Sequence, residues 1–493
     1  MSLTPDDSLA SPEGVAFVRR LGVNTLAQTV GLALGTVLGF LSFLAVTRGL
    51  GPQAFGDLTA ATVFLLFPVA LADIGLATGV LREISVTPER TEYVIRASLP
   101  LRFLIAVAVV AVALAVSLVL PFTDRALTAI WIGAIGSFLT LLTLGLTPLF
   151  QARLQMHVPV AATLAGRALT LALILLAFAT DRGFTAVVLA YVVGAGLTFL
   201  VVVAVAARQI SLRPLFDTGY WSKLVRGSLA IGIATGLFLS YYRVDAVLVA
   251  LFRDSREAGL YGAAFKFVEI AEVLVAAIGI TVFPSFARLI GTGDARIRGA
   301  LQRSLDAIVA FSAPILVGIL LVADELVTFT AGEEFAPAAS VLRLLVPYLA
   351  LLFVSAILIR LAAALHMDNY LLLLAVVVLA FNIALNVLLL PEYGYEVAAL
   401  TSIASEACVV IALAAIAWRR LGFVPSLRYL WPVGLGTAAM IVTYLLIPLP
   451  ALVAIVVASL VYGLVLAMLP GAVRDVVDAF VPGWRHAVRR SGS

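Results

Sequence analysis

Nine ionisable side chains lie inside long apolar runs of this 493-residue chain: Asp73, Arg167, Arg243, Asp245, Lys266, Glu269, Glu272, Arg360 and Glu406. Placing a charge in hydrocarbon costs roughly 2.5–3.5 kcal/mol on insertion scales, so each is expected to face a protein interior or a wet path. Arginine and lysine offer donors to an anion, and the planar guanidinium fork suits an acceptor with two oxygens side by side. Carboxylates in the same place balance those cations, or take up a proton or a sodium ion. Lys266, Glu269 and Glu272 recur at i, i+3 and i+6, which keeps them on one broad helix face. Arg243 and Asp245 are two apart and point in different directions. Asn382 and Asn386 are four apart and share a face.

The composition decides what kind of element can hold such groups. Apolar residues make up 63% of the chain and charged residues 12%, with a mean hydropathy of +1.13. A soluble domain is about 45–50% apolar and about 25% charged. Too little polar surface exists to coat a particle in water, which excludes a disordered chain, a fibrous repeat and a cytosolic enzyme. The single cysteine, Cys408, rules out an intrachain disulfide or a thiolate metal site. The three histidines, His157, His366 and His486, are far apart, so no metal site is expected. No GxxxxGK[ST] phosphate loop occurs, and no cofactor is implied. Basic runs without interleaved aromatics argue against nucleic acid as a partner. The first eighteen residues are polar and include Pro5 and Pro12, unlike a signal peptide.

A membrane-crossing helix needs about 20 apolar residues, because the hydrocarbon is ~30 Å thick. Fourteen runs meet this length: 21–47, 58–81, 99–120, 126–149, 158–179, 184–207, 225–252, 259–287, 304–322, 341–365, 370–390, 396–418, 429–447 and 449–469. The fold class is therefore all-α and polytopic, with fourteen transmembrane helices. Most of the 32 lysines and arginines fall in one set of alternate loops, which puts both termini in the cytoplasm of a cell-membrane protein. The longest external loop, 323–340, is acidic. At ~1.5 Å per residue, Asp245 and Lys266 share one depth, Arg243 and Glu269 nearly share another, and Asp73 could meet Arg167. Glu406 is about mid-span. Cytoplasmic arginine runs at 90–102, 208–226 and 288–303 serve topology and meet anionic lipid headgroups.

Two stretches resemble each other. Gly51 onward reads GPQAFGDLTAATVFLLFPVALADIGLATGVLREI, and Asp254 onward reads DSREAGLYGAAFKFVEIAEVLVAAIGITVFPSFARL. Gly56 falls on Gly259, and Ala60-Ala61 on Ala263-Ala264. Both follow the external face, so the repeat is parallel. The expected organisation is a cytoplasmic segment 1–20, an N-lobe 21–207, a C-lobe 208–418, two further helices within 419–470 and a basic tail 471–493.

The pattern at Arg48, Leu50, Gly51, Pro52, Phe55 and Gly56, followed by Ala72, Asp73, Gly75, Leu76 and Arg82-Glu83, resembles the polysaccharide transporter branch of the multidrug/oligosaccharidyl-lipid/polysaccharide exporter superfamily. These are Wzx-type flippases of lipid-linked oligosaccharides. The resemblance implies two six-helix lobes around a central cavity, with two C-terminal helices outside the repeat. It also implies movement of a polyprenyl-diphosphate-linked glycan from the inner to the outer leaflet. On that reading Arg243, Lys266, Arg167 and Arg360 hold the diphosphate. Asp73, Asp245, Glu269, Glu272 and Glu406 balance charge or couple an ion. Partners are the lipid-linked oligosaccharide, membrane lipids and a polysaccharide polymerase or glycosyltransferases. Two alternatives stay open: a cation-coupled drug or metabolite antiporter of the same superfamily, and a membrane enzyme acting on isoprenoid-linked sugars. Absence of a large extramembrane region disfavours the enzyme. The bland explanation of the charges is buried pairs that only fix the bundle.

Overall fold

The structure, a computed structural model, describes residues 12–73, 75–228, 243–289 and 293–469, and leaves the side chains of 12–21, 23, 71, 276–285 and 287 outside the description. Every regular element among the described residues is helical. The chain divides into two compact units, one up to Gly259 and one from Leu260. The first holds α1 (Pro12–Asp73), α2 (Leu76–Val86), α3 (Thr91–Ser117), α4 (Asp124–Ala152), α5 (His157–Ala179), α6 (Gly183–Ala207), α7 (Val244–Phe252) and the first turn of α8 (Ser255–Leu289). The second holds the rest of α8, then α9 (Asp294–Ala331), α10 (Ala338–Ala364), α11 (Asp368–Tyr393), α12 (Glu396–Leu421), α13 (Leu430–Leu446) and α14 (Ala451–Met468).

Eleven helices among the described residues are long and apolar enough to cross a membrane. Two expected spans lie on α1, whose 62 residues would run about 93 Å if straight, three times the hydrocarbon thickness. Gly51 breaks it at φ 71 and ψ 174, a conformation only glycine adopts freely. The rings of Phe43 and Phe55 then meet at 5.7 Å, so the two halves fold back as a hairpin. The span expected at 225–252 lies largely outside the described residues, and that at 259–287 falls on α8.

Local chemistry explains the other ends. Thr123 caps α4 by accepting the Ala126 N–H at 3.1 Å. Gly422 ends α12 in the left-handed region at φ 60. A tight turn at Pro448 and Pro450, between the spans expected at 429–447 and 449–469, joins α13 to α14. The loop expected over 323–340 is mostly helix instead. A bend at Val322 lets α9 continue to Ala331, because Val327, Ala331 and the following Phe335 bury themselves. That leaves only a short turn before α10.

In the first unit, α2, α3, α4 and α6 share one core around Val80, Ile84, Val94, Phe150 and Val202, which also takes in Tyr220 and Leu224 from the linker after α6. The linker, placed in the second lobe on sequence grounds, thus packs on the first unit. In the second unit α10 is the most enclosed span. The two last helices pack on α9, where the Tyr462 hydroxyl donates to the Ala310 carbonyl at 2.6 Å. Their outer faces expose Leu445, Leu446, Leu460 and Leu464, a surface suited to lipid.

Candidate functional site

The repeat read from sequence has a physical counterpart inside the first unit. A Cβ on Gly56 would lie 1.6 Å from the Ser255 carbonyl oxygen, and one on Gly259 would lie 2.0 Å from that of Pro52. The matched glycines therefore cross backbone to backbone. Beside them Asp57, 4% exposed, accepts hydrogen bonds at 2.6 Å from both Thr123 and Ser255 hydroxyls. Arg125 adds an ion pair at 3.5 Å. Sequence reasoning missed Asp57, although it directly follows the glycine of the motif.

The second charged centre is a correction. Asp73 pairs with Arg102 at 3.1 Å, and not with Arg167. Arg102 counted as part of a basic cytoplasmic run, yet it lies within α3 and its side chain is 5% exposed. The apolar stretch begins earlier than Leu99: Val94, Ile95 and Ala97 are fully buried, which is the signal that could have placed Arg102 inside. Asp73 sits at the last residue of α1, and its Oδ1 also accepts the Ala77 N–H of α2 at 3.3 Å.

The far end of α2 is held by the linker. Tyr220 donates to Glu83 at 3.1 Å, the Trp221 ring N–H to the Ala97 carbonyl at 2.7 Å, and the Arg96 Nε to the Arg213 carbonyl at 3.0 Å. The Tyr93 hydroxyl donates to Asp217 at 2.5 Å. That bond, with the Tyr220 backbone N–H, holds the Asp217 carboxyl below the usual range. Burial, then the nearby Glu83, pushes the Tyr220 phenol up.

Among the expected cations, Arg167 is exposed in the middle of α5 and donates to the Gly35 carbonyl. Among the described residues no carboxylate pairs with it. Arg360 is half-buried on α10 and likewise has no ion pair among the described residues. Lys266 pairs along its own helix with Glu269 at 2.5 Å, and Glu272 is half-buried on the next turn. Arg243 precedes α7, and Asp245, 4% exposed, lies in its first turn and accepts the Ala246 N–H at 2.8 Å. Arg243 and Asp245 belong to the first unit, and Lys266 and Glu269 to the second.

Glu406, 1% exposed, lies in a polar core shared by α10, α11 and α12. Ser355 donates to its carboxylate. Asn382 donates to Ser405 at 3.1 Å, Asn386 to the Asn382 side chain at 3.0 Å, and Thr401 to Asn386 at 3.0 Å. No group of three or more potential metal ligands forms among the described residues. What this core offers instead is a buried carboxylate that accepts from a serine hydroxyl beside a chain of amide and hydroxyl hydrogen bonds.

Comparison with known proteins follows the same lines. The family described as polysaccharide biosynthesis protein matches residues 45–340. A probable low-salt glycan biosynthesis flippase, Agl15 of Haloferax volcanii, is 26% identical over 173 residues, 35% of this chain and 36% of that protein. The match therefore spans about a third of that relative's length. The lipid II flippase MurJ in an inward closed conformation superposes with a TM-score of 0.73 at 14% identity, covering 90% of this chain and 97% of that one. An inward-facing multidrug resistance transporter of the MATE family superposes at 0.66 with 12% identity, covering 79% and 94%. At these identities the likeness is one of fold.

Proposed function

The chain belongs to the polysaccharide biosynthesis protein family, and from that premise we propose that it is a flippase for a polyprenyl-diphosphate-linked oligosaccharide. It carries the glycan from the inner to the outer leaflet of the cell membrane by alternating access, for export of a cell-surface polysaccharide. Its fourteen spans leave both termini in the cytoplasm. A polysaccharide polymerase and glycosyltransferases act before and after it.

The observation that carries this reading is Arg167, an exposed mid-helix cation that donates to a backbone carbonyl. Counted from sequence, the in-span charges nearly cancel and do not choose between an anionic and a cationic cargo. Geometry changes the count. Asp73 is spent on Arg102, and Lys266 and Glu269 on each other. Arg167 and Arg360 remain uncompensated, which favours a diphosphate over a cationic drug. Arg243, and Lys266 when it exchanges Glu269 for the ligand, are the further donors assigned to the diphosphate. Glu406, with Asn382 and Asn386, takes up the proton or sodium ion that drives the cycle. Asp245 and Glu272 balance the cavity. The crossing at Gly56 and Gly259 serves as the pivot or seal of one side.

The alternative is a cation-coupled antiporter, which the MATE likeness of the fold accommodates. One experiment separates them: purified protein in liposomes, given a fluorescent polyprenyl-diphosphate sugar, with and without a proton gradient. Movement of the labelled lipid is the expected result. Movement of a cationic dye, with the lipid left in place, sinks the flippase reading.

A further inference from the structure

In the second membrane pass α1 ends at Asp73 and α2 begins at Leu76. Gly75 stands in the left-handed region at φ 69, where a side chain is strained. One oxygen of Asp73 ties the break together. It receives the Ala77 N–H from the start of α2 and Arg102 Nη1 from the middle of α3.

This tie is under-satisfied. Arg102 is almost wholly buried, yet its Nε and Nη2 have no hydrogen-bond partner. A guanidinium out of water needs its donors met, and unmet ones carry a desolvation cost. Asp73 ends α1, where the negative pole of the helix opposes a carboxylate. The last carbonyls of α1 lack intrahelical donors. Those carbonyls are acceptors that the idle Arg102 donors would take if the break were remade. Both halves of the ion pair thus stand in an arrangement that a second geometry would relieve, which is the signature of a two-state element.

The body that would move is defined. Leu76, Val80 and Ile84 bury one face of α2 against Tyr220 and Leu224 of the linker. A Cβ on Gly79 would come 2.3 Å from the Ser228 hydroxyl. Tyr220 holds Glu83. So α2 and residues 218–228 form one piece, and Gly75 is its joint.

We propose that Arg102 is the positioning residue of a hinge whose joint is Gly75. Acting through Asp73, it sets the angle of the α2–linker piece, and that angle changes in each transport cycle. The inference rests on the transport reading for its purpose, but the hinge can be measured with no substrate present. Spin labels are placed at Thr78→Cys on α2 and Thr128→Cys on α4, both exposed, in a Cys408→Ala background in lipid nanodiscs. The expected distance distribution has two populations, and Arg102→Gln or Asp73→Asn changes their ratio by at least about threefold. Gly75→Ala leaves one population. Flux of the labelled lipid falls by about tenfold or more in Arg102→Gln and is partly rescued by Arg102→Lys. If Arg102→Gln and Asp73→Asn both fold but give the wild-type distribution, Arg102 is structural and the hinge is refuted. If the ratio shifts while the wild-type protein moves no polyprenyl-diphosphate sugar, the hinge stands and the flippase reading falls.

Discussion

Arg167 occupies mid-helix in α5 and donates to the Gly35 backbone carbonyl. A charge held there without a counter-ion is costly unless an anion visits. Arg167→Ala is expected to lower lipid-linked sugar transport by about tenfold or more with normal yield, and Arg167→Lys to fall between, because an ammonium lacks the two-pronged fork. Equal flux in the alanine variant removes Arg167 from the clamp. Gly56 makes a different demand, since its would-be Cβ meets backbone and no side chain can move aside. Gly56→Ala should cost about 1–3 kcal/mol, visible as a lower melting temperature, and Gly259→Ala a similar amount. The residues carrying charge within apolar runs were legible in the sequence, because hydropathy makes each of them conspicuous. Their partners were not. Depth along a helix says which groups share a level, but not which neighbour stands closer, and so Asp73 was assigned to Arg167 while Arg102 held it. Asp57 was illegible for a related reason: next to a turn, a buried acceptor of two hydroxyls reads like any exposed aspartate.

At the level of elements, turn chemistry was the dependable guide. Gly51-Pro52 announced the first hairpin and Pro448 with Pro450 the last, because glycine at positive φ and proline without an N–H leave few other options. The break at Gly75 gave no such warning, since a lone glycine in an apolar run is common in membrane helices. The helical reach of α9 past 322 was hidden by the acidic residues around it. Those charges lie on the exposed face of a helix whose other face is buried. The linker offers a test of its own. Asp217 has a depressed carboxyl pKa because Tyr93 donates to it. Its stabilisation is therefore complete above the ordinary carboxylate value of about 4 and is lost as pH falls from there toward the depressed value. Tyr93→Phe should lower the melting temperature at pH 7 and converge with the wild type on acidification. A gap that persists unchanged at low pH means the tyrosine works through packing alone.

For the molecule as a whole, the all-helical, membrane-spanning architecture read from hydropathy has the fold of MurJ and MATE transporters. At this scale the proposed clamp is tested at Arg243. Arg243→Ala is expected to abolish transport while protein level stays normal, as read by liposome flux against quantified reconstitution. Survival of transport removes Arg243 from the clamp. One edge of the molecule has a further effect on its surroundings. α14 has 18 residues, which at 1.5 Å each give about 27 Å, a few ångströms less than the hydrocarbon it must match. Lipids bordering that edge must shorten to keep the helix ends wet. The bilayer is therefore pinched beside α14, and a headgroup there has less oil to cross.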